Sequence, residues 1–170
     1  GYLAKKMGLP INKLIVATNK NDILHRAISN GNYEAKKVFQ TLSPSMDIQI
    51  ASNFERLIYD INDFSDTETE KVMNEIKKTG KYIIPEDKIE KIKKDFLSAS
   101  LNEEEMKDII HKLSLNDGPI IVDPHTAIGI GAIIKILKTN KKDSDVFINE
   151  TISLATAHPA KFPEATRAAY

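Results

Sequence analysis

The chain alternates short apolar runs with longer stretches of helical periodicity. The runs Lys13–Thr18 and Ile120–Val122 are apolar and rich in β-branched residues, which predicts buried strands. Each is followed by a polar loop and then by a helical pattern, ILHRAIS after the first and AIGIGAIIKILK after the second. Val146–Ile148 and Thr151–Ala155 predict further extended segments. Because strand, loop, helix and strand follow in this order, we expect an α/β fold with a partial parallel sheet and flanking helices.

Turn and capping residues mark the ends of the predicted helices. Gly8 and Pro10 end a first helix over residues 2–7, and Asn30–Gly31 ends the helix after the first strand. A last helix is expected from Pro159 through Ala169. The S-x-x-E pattern of a capping box predicts three more helix starts, at Ser52/Glu55, Ser65/Glu68 and Ser100/Glu103.

The stretch 65–115 is highly charged and carries three apolar stripes at helical spacing. The stripes are formed by Val72, Met73 and Ile76, by Ile89, Ile92, Phe96 and Leu97, and by Met106, Ile109, Ile110 and Leu113. We therefore predict a helical insertion over 65–115, with the segments 1–64 and 116–170 forming one α/β domain around it. Asn116–Pro119 predicts the turn that follows the insertion.

Three polar loops follow predicted strands or extended segments: Asn19–Asp22, Asp123–Thr126 and Thr156–Lys161. In open parallel sheets, ligands bind at the loops that follow the carboxyl ends of the strands. The polar side chains of the first loop, Asn19 among them, can therefore contact a ligand. Capping of the next helix by Asn21 or Asp22 accounts for the same loop without a ligand, and is the interpretation that spacing favours.

Asp123 and His125 form an Asp-x-His pair after the second predicted strand. Such a pair can act as an acid and a base, or as two ligands of a metal ion with His158 as a third. A metal-dependent hydrolase built on these three residues is accordingly one hypothesis of function. The alternative is that Asp123 caps the following helix and His125 packs against it, and the sequence leaves both open.

Thr156, His158 and Lys161 lie among small residues and two prolines in the string TAHPAKFP. Small residues let a ligand approach the backbone closely. A threonine hydroxyl can donate and accept, so it can bind a neutral pyridine nitrogen, and a lysine can bind a phosphate as a point charge. A surface loop that starts a helix is the alternative, and we favour the ligand-binding interpretation.

Charge and composition exclude several classes of partner. The chain has 24 basic and 24 acidic residues, so nothing favours nucleic acid or an anionic membrane. It has no cysteine, which excludes disulfides and thiolate metal sites and fits a reducing cytoplasm. No apolar run approaches the roughly 18 residues that span a bilayer. The first ten residues, GYLAKKMGLP, resemble the middle of a helix rather than a signal peptide, which predicts that the chain begins inside a larger protein.

Four blocks of the sequence, in order, resemble the threonine synthase family. The blocks are KKMGLPINKLIVATNKNDILHR, TLSPSMDIQIASNFERL, VDPHTAIGIGA and LATAHPAKFPEA, and together they span nearly the whole chain. The resemblance is weakest over 65–115. It implies a fold-type-II enzyme that uses pyridoxal 5′-phosphate (PLP) and is related to the tryptophan synthase β subunit. It also implies the conversion of O-phospho-L-homoserine and water to L-threonine and phosphate.

The same resemblance implies roles for individual residues. The family's threonine in the TAHPAKF block faces the pyridine nitrogen of PLP, and in this chain that position is Thr156. A neutral hydroxyl partner leaves the nitrogen largely unprotonated, which suits β,γ-elimination and replacement better than transamination. A place in the lining of the cofactor or substrate pocket is implied for Asn19, Arg56, Asp123, His125, His158 and Lys161.

Two parts of the family pattern do not occur in the sequence. They are the S-F-K-D-like motif with the Schiff-base lysine and the glycine–asparagine loop that binds the cofactor's phosphate. We therefore expect no catalytic residue and no metal ligand in these 170 residues, and no activity without a missing N-terminal half of the enzyme. A non-catalytic binding module of the same fold is the alternative.

Overall fold

The computed structural model describes residues 1–115, 118, 120–139 and 151–170. Its helices are α1 (Tyr2–Lys6), α2 (Ile23–Asn30), α3 (Phe54–Ile61), α4 (Asp66–Thr79), α5 (Glu86–Asp95), α6 (Glu103–Ser114), α7 (Pro124–Thr139) and α8 (Pro163–Ala169). Its strands are β1 (Leu14–Thr18), β2 (Asn32–Glu34), β3 (Lys81–Ile83) and β4 (Phe96–Ser100). No helix in the described ranges is long and apolar enough to cross a membrane.

The strands form two small sheets. β1 pairs with β4 in a parallel sheet, and β2 pairs with β3 in an antiparallel sheet in which Tyr33 lies opposite Tyr82. A parallel pair needs a long crossover connection, and here the chain between β1 and β4 supplies four helices. The predicted α/β fold, with a partial parallel sheet and flanking helices, is confirmed.

The chain divides into two compact units. Unit 1 consists of Gly1–Val16, Asp22–Lys37 and Ile48–Ser98. Unit 2 consists of Ala17–Asn21, Val38–Asp47 and Ala99–Tyr170. Both β1 and β4 begin in unit 1 and end in unit 2, so the residues at the carboxyl ends of the two paired strands belong to unit 2.

A hydrophobic cluster of aliphatic and aromatic side chains from α2, α3, α4, α5, β2 and β3 fills unit 1. Within it, the rings of Tyr33 and Phe54 are stacked with their centroids 5.0 Å apart, and the Tyr33 hydroxyl accepts a hydrogen bond from Ala51 N–H at 3.0 Å. The buried phenol thus has a polar partner. Gly31 ends α2 at a φ of 75°, and a Cβ there would lie 2.9 Å from the carbonyl oxygen of Ile84, so this position requires glycine.

In unit 2, α6 packs against both α7 and α8. The contact with α7 depends on Gly131, where a Cβ would lie 2.2 Å from Leu101 Cδ2 and 3.2 Å from Ile109 Cγ1. The missing side chain therefore lets the buried Leu101 lie directly against the helix backbone. This packing holds α7, and the candidate functional residues Asp123–Thr126 lie at its N-terminal end.

The stretch 65–115 is mainly helical, as predicted, with α4, α5 and α6, but it also contains β3 and β4. Phe96 follows Ile89 and Ile92 at helical spacing, but α5 ends at Asp95 and Phe96 takes an extended conformation with φ −118° and ψ 141°. Pairing with β1, which is distant in the sequence, makes the chain extended from Phe96 onward. Local periodicity carries no information about such a distant partner. The division of the domain into 1–64, 65–115 and 116–170 stays a prediction.

The predicted strand Ile120–Val122 is also wrong. These residues form no strand, Ile120 and Ile121 are 54 % and 53 % exposed, and Ile120 N–H bonds to the carbonyl of Leu113 at 3.1 Å. A strand needs a neighbour, and the described residues pair no strand with this segment. Thr151–Ala155 likewise pairs with no described strand. The predicted segment Val146–Ile148 and three residues of the predicted turn, Asn116, Asp117 and Pro119, lie outside the described residues.

The capping boxes give a mixed result. Ser65 caps α4 as predicted, since its Oγ accepts a hydrogen bond from Glu68 N–H at 3.3 Å. The box predicted at Ser52/Glu55 is wrong, because α3 begins at Phe54 and its N-cap makes no side-chain hydrogen bond.

The third box lies two residues further on than predicted. Ser100 is the last residue of β4 and its hydroxyl donates to the carbonyl of Asn19 at 2.9 Å. α6 is capped by Asn102 and Glu105, whose side chains each accept from the other's backbone N–H at 2.9 Å. At the end of the chain, Pro159 starts a 3₁₀ turn, and α8 begins only at Pro163.

Candidate functional site

The loop after β1 is held by the buried side chain of Asn19. Its Nδ2 lies within hydrogen-bonding distance of Thr41 Oγ1 (2.9 Å), Ser43 Oγ (2.9 Å) and Asp47 Oδ1 (2.7 Å). An amide nitrogen has two N–H groups, so the three acceptors share them. The side chain is 2 % exposed, which makes these bonds costly to leave unmade. Asn19 therefore ties the loop after β1 to the segment Thr41–Asp47.

Asp47 binds the same loop a second time. Its Oδ1 accepts from Asn21 Nδ2 at 2.9 Å and from Thr41 Oγ1 at 2.6 Å, and its Oδ2 accepts from Thr41 N–H at 2.8 Å. The side chain of Asn21 therefore forms its hydrogen bonds with other residues of unit 2. Asp22 is the N-cap residue of α2, but its side chain makes no capping hydrogen bond. Of the two predicted caps, Asp22 occupies the N-cap position without a side-chain bond, and Asn21 binds Phe39 and Asp47 instead.

His125 connects the segment Thr41–Asp47 to the start of α7. Its Nε2 accepts a hydrogen bond from Ser45 N–H at 3.2 Å, and its Nδ1 lies 2.8 Å from Asp123 Oδ1. A nitrogen that accepts carries no proton, so the proton of the neutral ring lies on Nδ1 and is donated to the carboxylate. The ring also packs edge-on against Phe162, with centroids 4.7 Å apart. The two hydrogen bonds together fix the tautomer and the orientation of His125.

Asp123 is fully buried at the N-terminus of α7. Its Oδ1 accepts from the backbone N–H groups of His125 (2.9 Å) and Thr126 (3.4 Å), and its Oδ2 accepts from the Thr126 hydroxyl. Burial raises the pKa of Asp123, but the hydrogen bonds from Thr126 and His125 outweigh it and hold that pKa below its ordinary value. The carboxylate is therefore ionised at neutral pH. The interpretation of Asp123 as a cap with His125 packed beside it is confirmed.

Thr126 links this cluster to the segment that contains Thr156. The Thr126 hydroxyl donates to Asp123 and accepts from Thr156 N–H at 3.1 Å. The Thr156 side chain is exposed, and its hydroxyl makes no hydrogen bond to any residue that the structure describes. Its backbone is therefore held in place while its hydroxyl stays available to a ligand.

The predicted site residues thus fall into two groups. One polar network, passing through Thr41–Asp47, joins four of them: Asn19, Asp123, His125 and Thr156. The other three are exposed and lie outside the network: Arg56 on α3 in unit 1, and His158 and Lys161 in unit 2. His158 Nδ1 accepts a hydrogen bond from Ala160 N–H at 3.2 Å, which caps the 3₁₀ turn Pro159–Lys161.

The geometry contradicts a metal-dependent hydrolase built on Asp123, His125 and His158. Across the part of the chain that the structure describes, no three His, Cys, Asp or Glu side chains are grouped so that they could hold a metal ion. Both nitrogens of His125 are used, one toward Asp123 and one toward Ser45, so neither offers a free lone pair. His158 binds its own turn instead.

Five further residues hold the network together, and the sequence indicated for them only that Ser43–Asp47 forms a loop near a binding site. They are Thr41, Ser43, Ser45, Asp47 and Thr126. The polar, proline-containing string TLSPSMD was a signal for the first four, because polar side chains in a loop often bind the backbone nearby. Thr126 had a weaker signal, its position three residues after a helix-capping aspartate.

The chain is similar to threonine synthases in sequence. Residues 126–170 match the family model described as threonine synthase, C-terminal. The threonine synthase of Saccharomyces cerevisiae is 45 % identical to it over 97 % of the chain, and that of Pseudomonas aeruginosa is 38 % identical over 99 %. The chain spans about a third of the length of these curated relatives, 34 % in each case.

Solved structures show the same similarity in three dimensions. The PLP-bound threonine synthase from Brucella melitensis superimposes with a TM-score of 0.86 at 39 % identity, covering 99 % of this chain and 34 % of that one. Threonine synthase from yeast gives a TM-score of 0.83 at 39 % identity, covering 99 % and 35 %. The chain therefore belongs to the threonine synthase family and matches a C-terminal portion of it.

Proposed function

We propose that this chain forms the C-terminal part of a PLP-dependent threonine synthase. The complete enzyme converts O-phospho-L-homoserine and water to L-threonine and phosphate. One observation carries the proposal: Thr156 is anchored through its backbone N–H to Thr126, while its hydroxyl is free of described partners and exposed. A hydroxyl held in this way is suited to meet a ring nitrogen of a bound cofactor.

The residues around Thr156 fit one edge of a PLP molecule. Ala155 and Ala157 flank it in the sequence, so neither adjacent residue has a large side chain. When bound, PLP supplies an electron sink for carbanionic chemistry. The Thr156 hydroxyl, being neutral, binds the ring nitrogen without placing a proton on it, which tempers the electron withdrawal.

Other residues of the chain have supporting roles in this proposal. Asn19, Asp123 and His125 shape the pocket by fixing its loops, since their polar atoms are occupied by hydrogen bonds within the chain. Lys161 and His158, whose side chains are exposed, contact an anionic group of the ligand. Arg56, on α3, stays a prediction as a residue of the pocket lining.

The rest of the enzyme is an N-terminal part that this sequence does not contain. That part supplies the lysine that binds the cofactor covalently and the loop that binds its phosphate. Residues 1–170 alone are therefore inactive in this proposal, and the proposed location of the whole enzyme is the cytoplasm. The non-catalytic binding module differs in one measurable respect, because it binds the phosphorylated substrate without releasing phosphate.

Replacing Thr156 tests the proposal. In the full-length protein, Thr156→Val is expected to raise the Kd of PLP about tenfold, the effect of losing about one hydrogen bond of about 1.4 kcal/mol, and to shift the visible absorption of the bound cofactor. Thr156→Ser keeps the hydroxyl and is expected to stay within about threefold of the wild type. The measurements are a spectrophotometric PLP titration and phosphate release from O-phospho-L-homoserine.

Two results would contradict the proposed function. One is a full-length wild-type protein that binds no PLP. The other is PLP binding without phosphate release, which supports the binding module instead. A separate assay of residues 1–170 alone is expected to show no phosphate release, and activity of that chain would refute the requirement for an N-terminal part.

A further inference from the structure

Thr126 occupies a position between the most buried carboxylate of the site and the segment that carries Thr156. Its side chain is 5 % exposed and makes two hydrogen bonds, to Asp123 and from Thr156 N–H. A carboxylate can only accept and a backbone N–H can only donate. The direction of both bonds is therefore fixed, and the Thr126 hydroxyl makes the two together because one oxygen can donate and accept at the same time.

The carboxylate that receives the Thr126 hydroxyl is itself held rigidly. Asp123 is fully buried and accepts from two backbone N–H groups at the start of α7 and from His125 Nδ1. Because its oxygens are fixed by the helix start, they fix the direction in which the Thr126 hydroxyl points. The oxygen's lone pairs then face the Thr156 N–H.

Among the residues that the structure describes, the segment that carries Thr156 has few other anchors. Residues 152–157 form no helix and no strand, and the Thr126 hydroxyl is the side chain that binds the Thr156 backbone among the described residues. The segment comes close to α7 at a second point, one turn further along the helix, where a Cβ on Gly129 would be 3.1 Å from Ser153 Oγ. The segment thus runs antiparallel along one face of α7, with 126 facing 156 and 129 facing 153.

We propose that Thr126 is a positioning residue that sets the place of Thr156, and through it the ring-nitrogen contact of the cofactor. The second half of this inference rests on the proposed function, whereas the first half concerns only the chain itself. Thr126 does not touch the ligand in this proposal; it acts through the backbone of Thr156.

The test compares Thr126→Val with Thr126→Ser in the full-length protein. Valine keeps the volume and removes both hydrogen bonds, whereas serine keeps the hydroxyl. Thr166→Val is the matched control, because Thr166 lies on α8 and its hydroxyl donates only a 3.4 Å bond to the carbonyl of Phe162. Hydrogen–deuterium exchange is followed by mass spectrometry on a peptide covering residues 153–158, and PLP affinity by titration.

In Thr126→Val, exchange of the 153–158 peptide is expected to become roughly tenfold faster and the Kd of PLP to rise by a similar factor. Thr126→Ser and Thr166→Val are expected to behave like the wild type. Peptides from β2 and β3 in unit 1 serve as the reference for global unfolding. If Thr126→Val does not fold by far-ultraviolet circular dichroism, Thr126→Cys replaces it, since a thiol keeps the size but bonds weakly.

The outcomes separate this inference from the proposed function. Unchanged exchange of the 153–158 peptide in Thr126→Val would overturn the inference. Faster exchange with an unchanged Kd of PLP would overturn its second half, the effect on the cofactor contact. If the wild type binds no PLP, the proposed function fails, and the exchange data alone then decide whether Thr126 positions Thr156.

Discussion

At the scale of single residues, the site depends on buried polar side chains that have partners. Asn19 and Asp123 are almost inaccessible to water, and each makes several hydrogen bonds within unit 2. Removing one partner of such a group leaves the other unsatisfied, which costs about 1–3 kcal/mol. These residues therefore contribute to stability as well as to the shape of the site.

The pH dependence of stability is expected to show how much the ionised carboxylate of Asp123 contributes to the free energy of unfolding. Its folded-state pKa is lowered, so its contribution is fully present above the unfolded value of about 3.9 and is lost as the pH falls through the folded value. Asp123→Asn is expected to lower the free energy of unfolding by about 1–3 kcal/mol at pH 7. The difference from the wild type should shrink below about pH 4. Urea unfolding between pH 2.5 and 7 measures it.

Asp47→Asn provides the control for this experiment. It removes a carboxylate that also holds a loop of unit 2 but whose hydrogen bonds go to Asn19, Asn21 and Thr41 rather than to the residues bound to Asp123. A gap between the wild type and Asp123→Asn that stays constant down to pH 2.5 would show that the charge of Asp123 does not contribute.

At the scale of the elements, side-chain caps decide where the helices of unit 2 begin. α6 starts at a reciprocal capping box formed by Asn102 and Glu105. α7 starts at the carboxylate of Asp123. The two helices pack against each other, so the caps also fix the elements that carry Thr126.

Mutations can distinguish the capping box observed at α6 from a capping-box pattern that is present only in the sequence. Asn102→Ala is expected to destabilise the protein by about 1 kcal/mol, because the N–H of Glu105 loses its acceptor. Ser52→Ala, which disrupts the sequence pattern at the start of α3, should change stability by less than about 0.5 kcal/mol, because Ser52 is exposed and caps nothing. Thermal or urea unfolding compares the two variants. Equal losses would contradict the assigned caps.

At the scale of the whole molecule, apolar side chains remain exposed next to the candidate site in the sequence. Ile152 and Leu154, two and four residues before Thr156, are 85 % and 75 % exposed. Ile120 and Ile121, just before Asp123, are about half exposed. In the proposed function, the N-terminal part of the enzyme covers these residues.

Residues 1–170 produced alone are therefore expected to self-associate. Light scattering should give a mass that rises with concentration above the 19.0 kDa of one chain. The double variant Ile152→Thr/Leu154→Thr should reduce this association. Ile83→Thr, which removes a 53 % exposed isoleucine from β3, is the control and should have little effect. A monodisperse wild-type monomer would contradict the expectation.

The sequence by itself determined the α/β class, β1, most helices and the family. These features follow from local periodicity and from motifs whose residues lie close together in the chain, such as LIVAT and TAHPAKF. It also singled out Asp123, His125 and Thr156. What it did not predict was that Thr126 joins them, or that Asn19 holds a loop.

Only the tertiary structure decided the features that depend on partners far apart in the chain. β4 is a strand because β1 lies beside it, and Ile120–Val122 is not one because no described strand does. The tautomer of His125 depends on Ser45, 80 residues away, and the place of Thr156 depends on Thr126, 30 residues away. Hydrogen bonds between distant residues leave no periodic signal in a sequence, so they emerge only once the chain is folded.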